Sequence, residues 1–387
     1  MEEPVKRFTD QTDSVYHLLQ ETSPWFAALE WPGDRMPRIG LAEVMTIKKI
    51  TITDVAQQAG VSVTTVSLVL SGKGRISSTT VTRVNQAIES LGYVRNRQAA
   101  TLRGGESGVI GLILRDICEP FYAEMTAGLS EVLEDHGKVL FLTQSGRDGK
   151  GLMRCFDTLL EHGVDGMVLA GGVRMAEGLK EKAAEQGVPL VCAARSNGLE
   201  GVDVVRPDNM QAAKMATEFL IKRGHSQIAY LGGQSNSLTR AERLGGFCAT
   251  LVQYGLPFRS EWIVECDCRQ RAAAEATENL LRQYPNISAL VCHKASVALG
   301  AYFGIVRSGR SIGSEGVDTY YGQQVALIGF GDVPEAELTE PPLTLVSSSA
   351  REVGRSAASR LLQRIAAADL PPQNVILPPM LIKRGSA

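Results

Sequence analysis

The sequence predicts an α/β protein in three parts: a three-helix helix-turn-helix headpiece, a hinge helix, and a body of two doubly wound α/β lobes. Three observations carry this. Helix-starting hydroxyls and helix-ending glycines alternate between residues 51 and 92. Apolar runs of strand length alternate with helical segments from residue 108 onward, and that series begins again after about residue 212. A chain of 387 residues with 44% hydrophobic content is long enough to bury two or three such units.

In the headpiece, Thr53 is the candidate N-cap of a helix DVAQQAG that Gly60 ends. Ser62 caps a second helix, VTTVSLVLSG, ended by Gly72. Thr79 or Thr80 opens a third, which runs through Leu91 to Gly92. The hydroxyls accept from amides left unpaired in a first turn, and the glycines take the left-handed conformation that closes a last one. Val55, Ala56, Val61, Val66, Val69, Leu70, Val84, Ile88 and Leu91 recur at helical spacing and suffice for a small core. The turn AGVS is short and holds a glycine, as a helix-turn-helix requires. In that motif the second helix enters the major groove and flanking donors hold phosphates. Ser62, Val63, Thr64, Thr65 and Ser67 would then meet DNA, with Leu68 one turn deeper. Thr51, Thr53, Lys48 and Arg75 are the candidate phosphate donors.

Charge points the same way. Residues 46–105 hold eight Lys/Arg against Asp54 and Glu89, so +6, whereas the whole chain carries −2. A basic head on an acidic body suits a polyanionic partner.

From residue 108, GVIGLILRDI, KVLFLTQS, GVDGMVLAGG and VPLVCAARS read as buried parallel strands, with helices near 121–136, 150–162 and 175–187. The second series is a helix from about 212 to Gly224, strand QIAYLGG, helix 240–255, strand WIVECD, helix 270–283, strand ISALVCH, helix 296–308 and strand QVALIGF. The segment SGRSIGSEGVDTYYGQ, 308–323, reads as an inserted surface loop. The expected organisation is a poorly ordered extension over 1–45, with Met45 read as the native start, a headpiece over 46–95, a hinge over 96–106 and a body over 107–385. Lobe 1 takes about 107–205 plus 350–373, and lobe 2 about 206–349 plus 374–385. A groove between the lobes is the natural small-molecule site.

Several classes are set aside. No apolar run reaches membrane-spanning length, and the start MEEPVKRFTDQTD lacks the basic-then-apolar order of an export signal, so a cytoplasmic protein without membrane attachment is expected. The seven cysteines form no CxxC pair and sit mostly in apolar runs, which reads as buried thiols rather than disulfides or a metal site. The patterns GxxxxGK[ST] and HExxH are missing and the five histidines are scattered, so neither an enzyme nor a cofactor is expected.

The stretches TDVAQQAGVSVTTVSLVL, LGYVRNRQAATLR, SGVIGLILRDICEPFYAEM, GVDGMVLAG, RPDNMQAA, GHSQIAYLGG, LTRAERLGGF, ALGAYFG and LIKRG together resemble the lactose-repressor (LacI) family of bacterial transcription regulators, over residues 50 to about 385. The resemblance implies a homodimeric repressor on a near-palindromic, double-stranded operator, with a body like that of periplasmic binding proteins. It implies control of carbohydrate genes, maltose-related ones in particular. No heptad tail follows LIKRGSA, so a dimer is expected rather than a tetramer. The alternatives are a periplasmic-type sugar receptor, which needs an export signal and no basic head, and a regulator responding to a different metabolite.

The resemblance gives NRQAATLRGG a role. Family members fold this linker into paired hinge helices that enter the minor groove and wedge a central base step. Asn96 matches the helix-starting asparagine, with Arg97 beside it, Ala99 the small residue of the helix contact, and Leu102 the wedge. An isolated helix this short is marginal in water, so its order depends on partner and DNA.

Family members also close their lobes on a sugar or purine with an aromatic pair and an arginine. Phe121 and Tyr122 match the aromatics and Arg243 the arginine, with Arg195, Arg240, Asp208 and Asp332 as neighbours. Departures limit the carry-over. Gly331, Lys294-Ala295 and Ala194 stand where sugar-responsive members place hydrogen-bonding acids or amides. Losing those acceptors weakens recognition of sugar hydroxyls and moves the expected effector from a sugar toward a sugar phosphate held by arginines. In the reading helix, Leu68 can meet a thymine methyl but cannot take a guanine edge, and Val63 replaces a larger polar residue, so the operator should differ from the lactose type.

Leu102→Ala is expected to weaken operator binding at least about tenfold while dimers stay intact, because an unstacked step loses its wedge. Gel shift beside analytical ultracentrifugation checks this, and unchanged affinity would make the segment a plain linker.

Overall fold

Three hydroxyl side chains set the helix starts of the headpiece in the computed structural model, which describes residues 50–72, 74–94, 106–146, 149–171, 178–193, 199–313 and 324–387. Helix α1 (Ile52–Ala59) is capped by Thr51, not by Thr53 as expected. The reason is reciprocity: the Thr51 hydroxyl accepts from the Asp54 amide at 3.4 Å, and the Thr51 amide donates to the Asp54 carboxylate at 2.7 Å. Thr53 has Ala56 three residues on and cannot build this box. Helix α2 (Val63–Ser71) starts at Ser62 and ends at Gly72, as predicted. Helix α3 (Ser78–Leu91) is capped by Ser77, ahead of the expected threonines, and closed by Gly92. Val55, Val66 and Val84, one from each helix, are fully buried at the centre of the head.

The chain divides into two units, Met1–Arg95 and Asn96–Ala387. The extension 1–45, Lys48 and the hinge readings at Asn96, Arg97, Ala99 and Leu102 lie outside the described residues.

In the second unit, six strands form one sheet: β1 (Val109–Leu114), β2 (Val139–Gln144), β3 (Gly166–Ala170), β4 (Leu190–Ala193), β5 (Asp203–Pro207) and β12 (Asn374–Leu377), in the order β12-β5-β4-β3-β1-β2, all parallel. The other sheet orders β13 (Met380–Ile382), β11 (Thr344–Ser347), β10 (Gln324–Phe330), β8 (Ala289–Cys292), β6 (Ile228–Leu231) and β7 (Ile263–Val264), with only β13 antiparallel. Buried strands such as β3 and β8 are apolar throughout because helices cover both faces. In lobe 1 these are α4 (Pro120–Asp135), α5 (Leu152–Glu161), α6 (Leu179–Glu185) and α11 (Ala350–Ala366). In lobe 2 they are α7 (Asn209–Lys222), α8 (Leu238–Gln253), α9 (Gln270–Gln283) and α10 (Ala295–Arg307).

Three readings need correction. Asn374–Leu377, assigned to lobe 2, pairs with Asp203–Pro207 in the lobe 1 sheet, and the chain changes lobe only before Met380. The loop read over 308–323 contains a short strand, β9 (Ser311–Ile312), on Gln324–Val325. The expected strand WIVECD shrinks to Ile263–Val264, because Trp262 lies in a 3-10 turn and Cys266 bridges to Gly233.

The chain crosses between the sheets after Pro207, after Ser347 and after Leu377, and the Asp208 amide ties the first crossing to the third by donating to the Leu377 carbonyl at 3.0 Å. At the amino end of β1, the Asp165 carboxylate accepts from the amides of Ser107 and Gly108 at 2.7 and 2.8 Å and from Lys138 at 2.9 Å. Burial pushes this carboxyl up, but the bonds from Lys138 and Ser107 outweigh it and hold it below the usual carboxylate value.

The helix pairs meet through glycines. A Cβ on Gly128 of α4 would stand 2.0 Å from the Arg351 carbonyl oxygen, and one on Gly354 of α11 would stand 2.0 Å from that of Met125. Gly246 meets Met210 of α7, and Gly300 and Gly304 meet Gln270 and Ala274 of α9, in the same way. Gly354→Ala should therefore destabilise the body by about 1–3 kcal/mol, since the new methyl faces backbone that cannot rotate aside. Urea unfolding checks this, and a change within about 0.5 kcal/mol would show that the two helices separate at little cost.

Candidate DNA-reading head and inter-lobe groove

On α2 the positions sort by helical spacing. Val66 is buried, and Val63, Val69 and Leu70 pack against the head core, so the opposite stripe carries Thr64, Ser67 and Leu68. Thr64 is exposed, and Ser67 and Leu68 are half-buried. Val63, predicted at DNA, leans on the core, and Leu68 lies 3.5 Å from where a Gly74 Cβ would stand. Ser62 and Thr65 hold each other at 2.9 Å between hydroxyls while Ser62 accepts the Thr65 amide, so both serve the helix start. Thr51 is similarly engaged: its hydroxyl donates to Asp54 at 2.7 Å. Thr53 and Arg75 are exposed on the head.

The groove is built at the carboxyl ends of the strands of both sheets. On the lobe 1 side, Arg115 follows β1, Gly171 follows β3, and Glu119 is the N-cap of α4, ahead of Phe121 and Tyr122. The two rings meet edge to face, 5.7 Å between centroids. Tyr122 is a core residue of lobe 1, 9% exposed, and its hydroxyl lies 2.6 Å from where a Gly171 Cβ would stand. With φ of +93° and Arg115 equally close, glycine alone fits there.

On the lobe 2 side, Arg240 and Arg243 project from α8. Arg240 Nε donates to the Gly232 carbonyl at 3.1 Å. Arg243 Nε donates to Asn209 at 3.1 Å, Nη1 donates to the His293 carbonyl, and the guanidinium stacks 4.5 Å above the Phe330 ring. Asn209 in turn donates to Glu242 at 3.0 Å, and Glu242 pairs with Arg206 of β5 at 3.4 Å, beside the first crossing. His293 Nδ1 meets the Tyr230 hydroxyl at 2.9 Å. Burial, then the nearby Arg243, Lys294 and Arg240, keep His293 well below the usual imidazole value and so neutral. Burial likewise pushes the Tyr230 phenol up.

The two sides touch where Lys294, N-cap of α10, meets Glu119 at 2.7 Å. Phe121 and Tyr122 lie on the lobe 1 side of this contact, and Arg240 and Arg243 on the lobe 2 side. Asp332 follows β10, and its carboxylate pairs with Arg384 at 3.4 Å, on lobe 2 itself. Asp208 caps α7, accepting from Gln211 at 2.9 Å, and Arg195 lies outside the described residues. Sequence reasoning passed over Arg115, Glu119, Asn209, Glu242 and His293. Arg115 and His293 had a usable signal, since each directly follows a strand where an α/β fold places its ligands.

A regulatory protein with a DNA-reading head and a binding-protein body is the class this arrangement defines. The model of bacterial regulatory proteins of the lacI family matches residues 51–96, and that of periplasmic binding proteins and the sugar binding domain of the LacI family matches residues 107–385. The chain belongs to the LacI family. It is similar to the maltose regulon regulatory protein MalI of Escherichia coli (strain K12), 55% identical over 337 residues that make up 87% of this chain and 98% of the relative. Among solved structures it is similar to a complex of the transcriptional regulator CelR with cellobiose, at 30% identity and TM-score 0.65 over 87% of this chain and all of the other. It is also similar to the lac repressor dimer bound to operator and the anti-inducer ONPF, at 25% identity and TM-score 0.78 over 88% and 99%.

Burial of His293 and of His225, both held below the ordinary imidazole value, makes stability depend on pH. The folded state refuses protons that the unfolded chain takes up below about pH 6.5, so stability holds above that value and falls beneath it by up to about 1.4 kcal/mol per pH unit for each histidine. His293→Gln is expected to reduce that slope between about pH 6.5 and 5, measured by urea unfolding. An unchanged slope would mean that His293 takes up its proton while folded.

Proposed function

We propose that this chain is a cytoplasmic, homodimeric transcriptional repressor that binds a near-palindromic operator and is modulated by a small molecule between its lobes. The observation that carries this reading is the pairing, in one chain, of a capped helix-turn-helix presenting Thr64, Ser67 and Leu68 outward with a two-lobed body whose facing edges hold aromatic and cationic groups. A two-fold protein calls for a two-fold site. Control of maltose-related genes follows from the 55% identity to a maltose regulon regulator.

The effector is a sugar or a sugar phosphate. Arg115, Arg240, Arg243 and Lys294 make the groove edges cationic, which favours an anionic group on the sugar. Lobe closure moves the tether attachments, and a ligand shifts the balance only by its differential affinity for the two lobe angles. No turnover is expected, in keeping with relatives that are regulators.

Selection of bound duplexes from a random pool, followed by gel shift with maltose, glucose and glucose 6-phosphate, tests the reading. The expected result is enrichment of a symmetric site bound at least about a thousandfold better than genomic competitor. Failure to enrich any sequence at moderate salt would overturn it.

A further inference from the structure

We infer that Glu119 and Lys294 form a strap across the groove, holding the lobes together before any effector arrives. Glu119 sits at the start of α4 in lobe 1 and Lys294 at the start of α10 in lobe 2, and their charged atoms are 2.7 Å apart. Neither side chain serves its own helix: no cap hydrogen bond is made by either. A carboxylate is at home at a helix start, whereas an ammonium there is opposed by the helix dipole. Lys294 also shares its surroundings with Arg240 and Arg243, which act with it on His293. Glu119, from the opposite lobe, supplies the counter-charge that this cationic edge needs.

Position gives the pair its effect. The crossings follow β5 and β12 in one sheet and β11 in the other, while Glu119 follows β1 and Lys294 follows β8. Those are two to three strand spacings away, roughly 10–15 Å of lever arm. The other lobe-joining pair noted above, Arg206 with Glu242, lies beside a crossing and tolerates hinge rotation better. The Glu119–Lys294 pair must break whenever the groove opens. About a third of each side chain is exposed, so its contribution is that of a partly solvated pair, enough to bias an equilibrium between lobe angles about two- to fivefold.

The test uses the full chain with a fluorescent donor and acceptor at the exposed positions Arg154 and Arg271, introduced as encoded amino acids so that the native cysteines stay unmodified. Labelled protomers are diluted with unlabelled protein to suppress transfer between subunits. Glu119→Gln, Lys294→Met and the double variant form a cycle, with circular dichroism confirming the fold of each. Each single variant should shift the closed-to-open ratio about two- to fivefold toward open, and the double variant no further than either. Added salt should weaken the bias of the parent protein and leave the double variant unmoved. Additive shifts, or no shift in the single variants, would overturn the strap. That closure governs operator binding rests on the repressor reading above. Gel shift of the same variants on the selected duplex separates the two: coupling in the fluorescence cycle with unchanged operator affinity retains the strap and removes the regulatory reading.

Discussion

The two lobes are joined by three backbone crossings that lie together, after Pro207, Ser347 and Leu377, and the Asp208–Leu377 hydrogen bond ties two of them into one bundle. The proposed switching of the body depends on this. Parallel segments tied side by side resist sliding but yield to small torsions at their ends, so the low-cost motion is a rotation that opens or shuts the groove. Residues beside the crossings change separation little in such a rotation, and those farther away change it most. The Arg206–Glu242–Asn209–Arg243 chain at the base and the Glu119–Lys294 contact toward the mouth therefore have different roles, although both are networks of charge and amide.

Rotation is informative only if each lobe moves as a body. The glycine contacts supply that stiffness. With Gly128 against the Arg351 backbone and Gly354 against that of Met125, α4 and α11 approach until backbone meets backbone, and the chain returning to lobe 1 after Ser347 is locked to the helix that begins beside the groove. Gly246, Gly300 and Gly304 do the same in lobe 2. Interiors packed this closely transmit displacement rather than absorbing it.

Much of this was legible in the amino-acid order, and the misses have physical causes. Helix ends were read well where one residue decides them, as at Gly60, Gly72 and Gly92, and less well where two hydroxyls compete. Thr51 prevails over Thr53 through a partner three residues on, a cooperative effect that single-residue preference does not capture. Strands buried on both faces stood out by their apolar runs. Asn374–Leu377 alternates exposed and half-buried positions at a sheet edge, and nothing local to it says which sheet it joins. The aromatics and arginines were named through resemblance, not through local pattern. Glu119, Asn209 and Glu242 escaped because their roles arise from pairing across long stretches of chain, 175 residues in the case of Glu119 and Lys294. The Arg384 partner of Asp332 escaped for the same reason, since it arrives only once the C-terminal segment has folded back.

The Asp165 carboxylate gathers the first two amides of the body and the Lys138 ammonium into one anchor. The bonds from Lys138 and Ser107 hold that carboxyl below the usual carboxylate value, so the anchor keeps its charge at neutral pH. A cord knotted firmly to a swinging door delivers the full travel of the door, and a cord with slack delivers none. By fixing Ser107 and Gly108 to the amino edge of the lobe 1 sheet, Asp165 removes slack from the point where the chain enters that lobe.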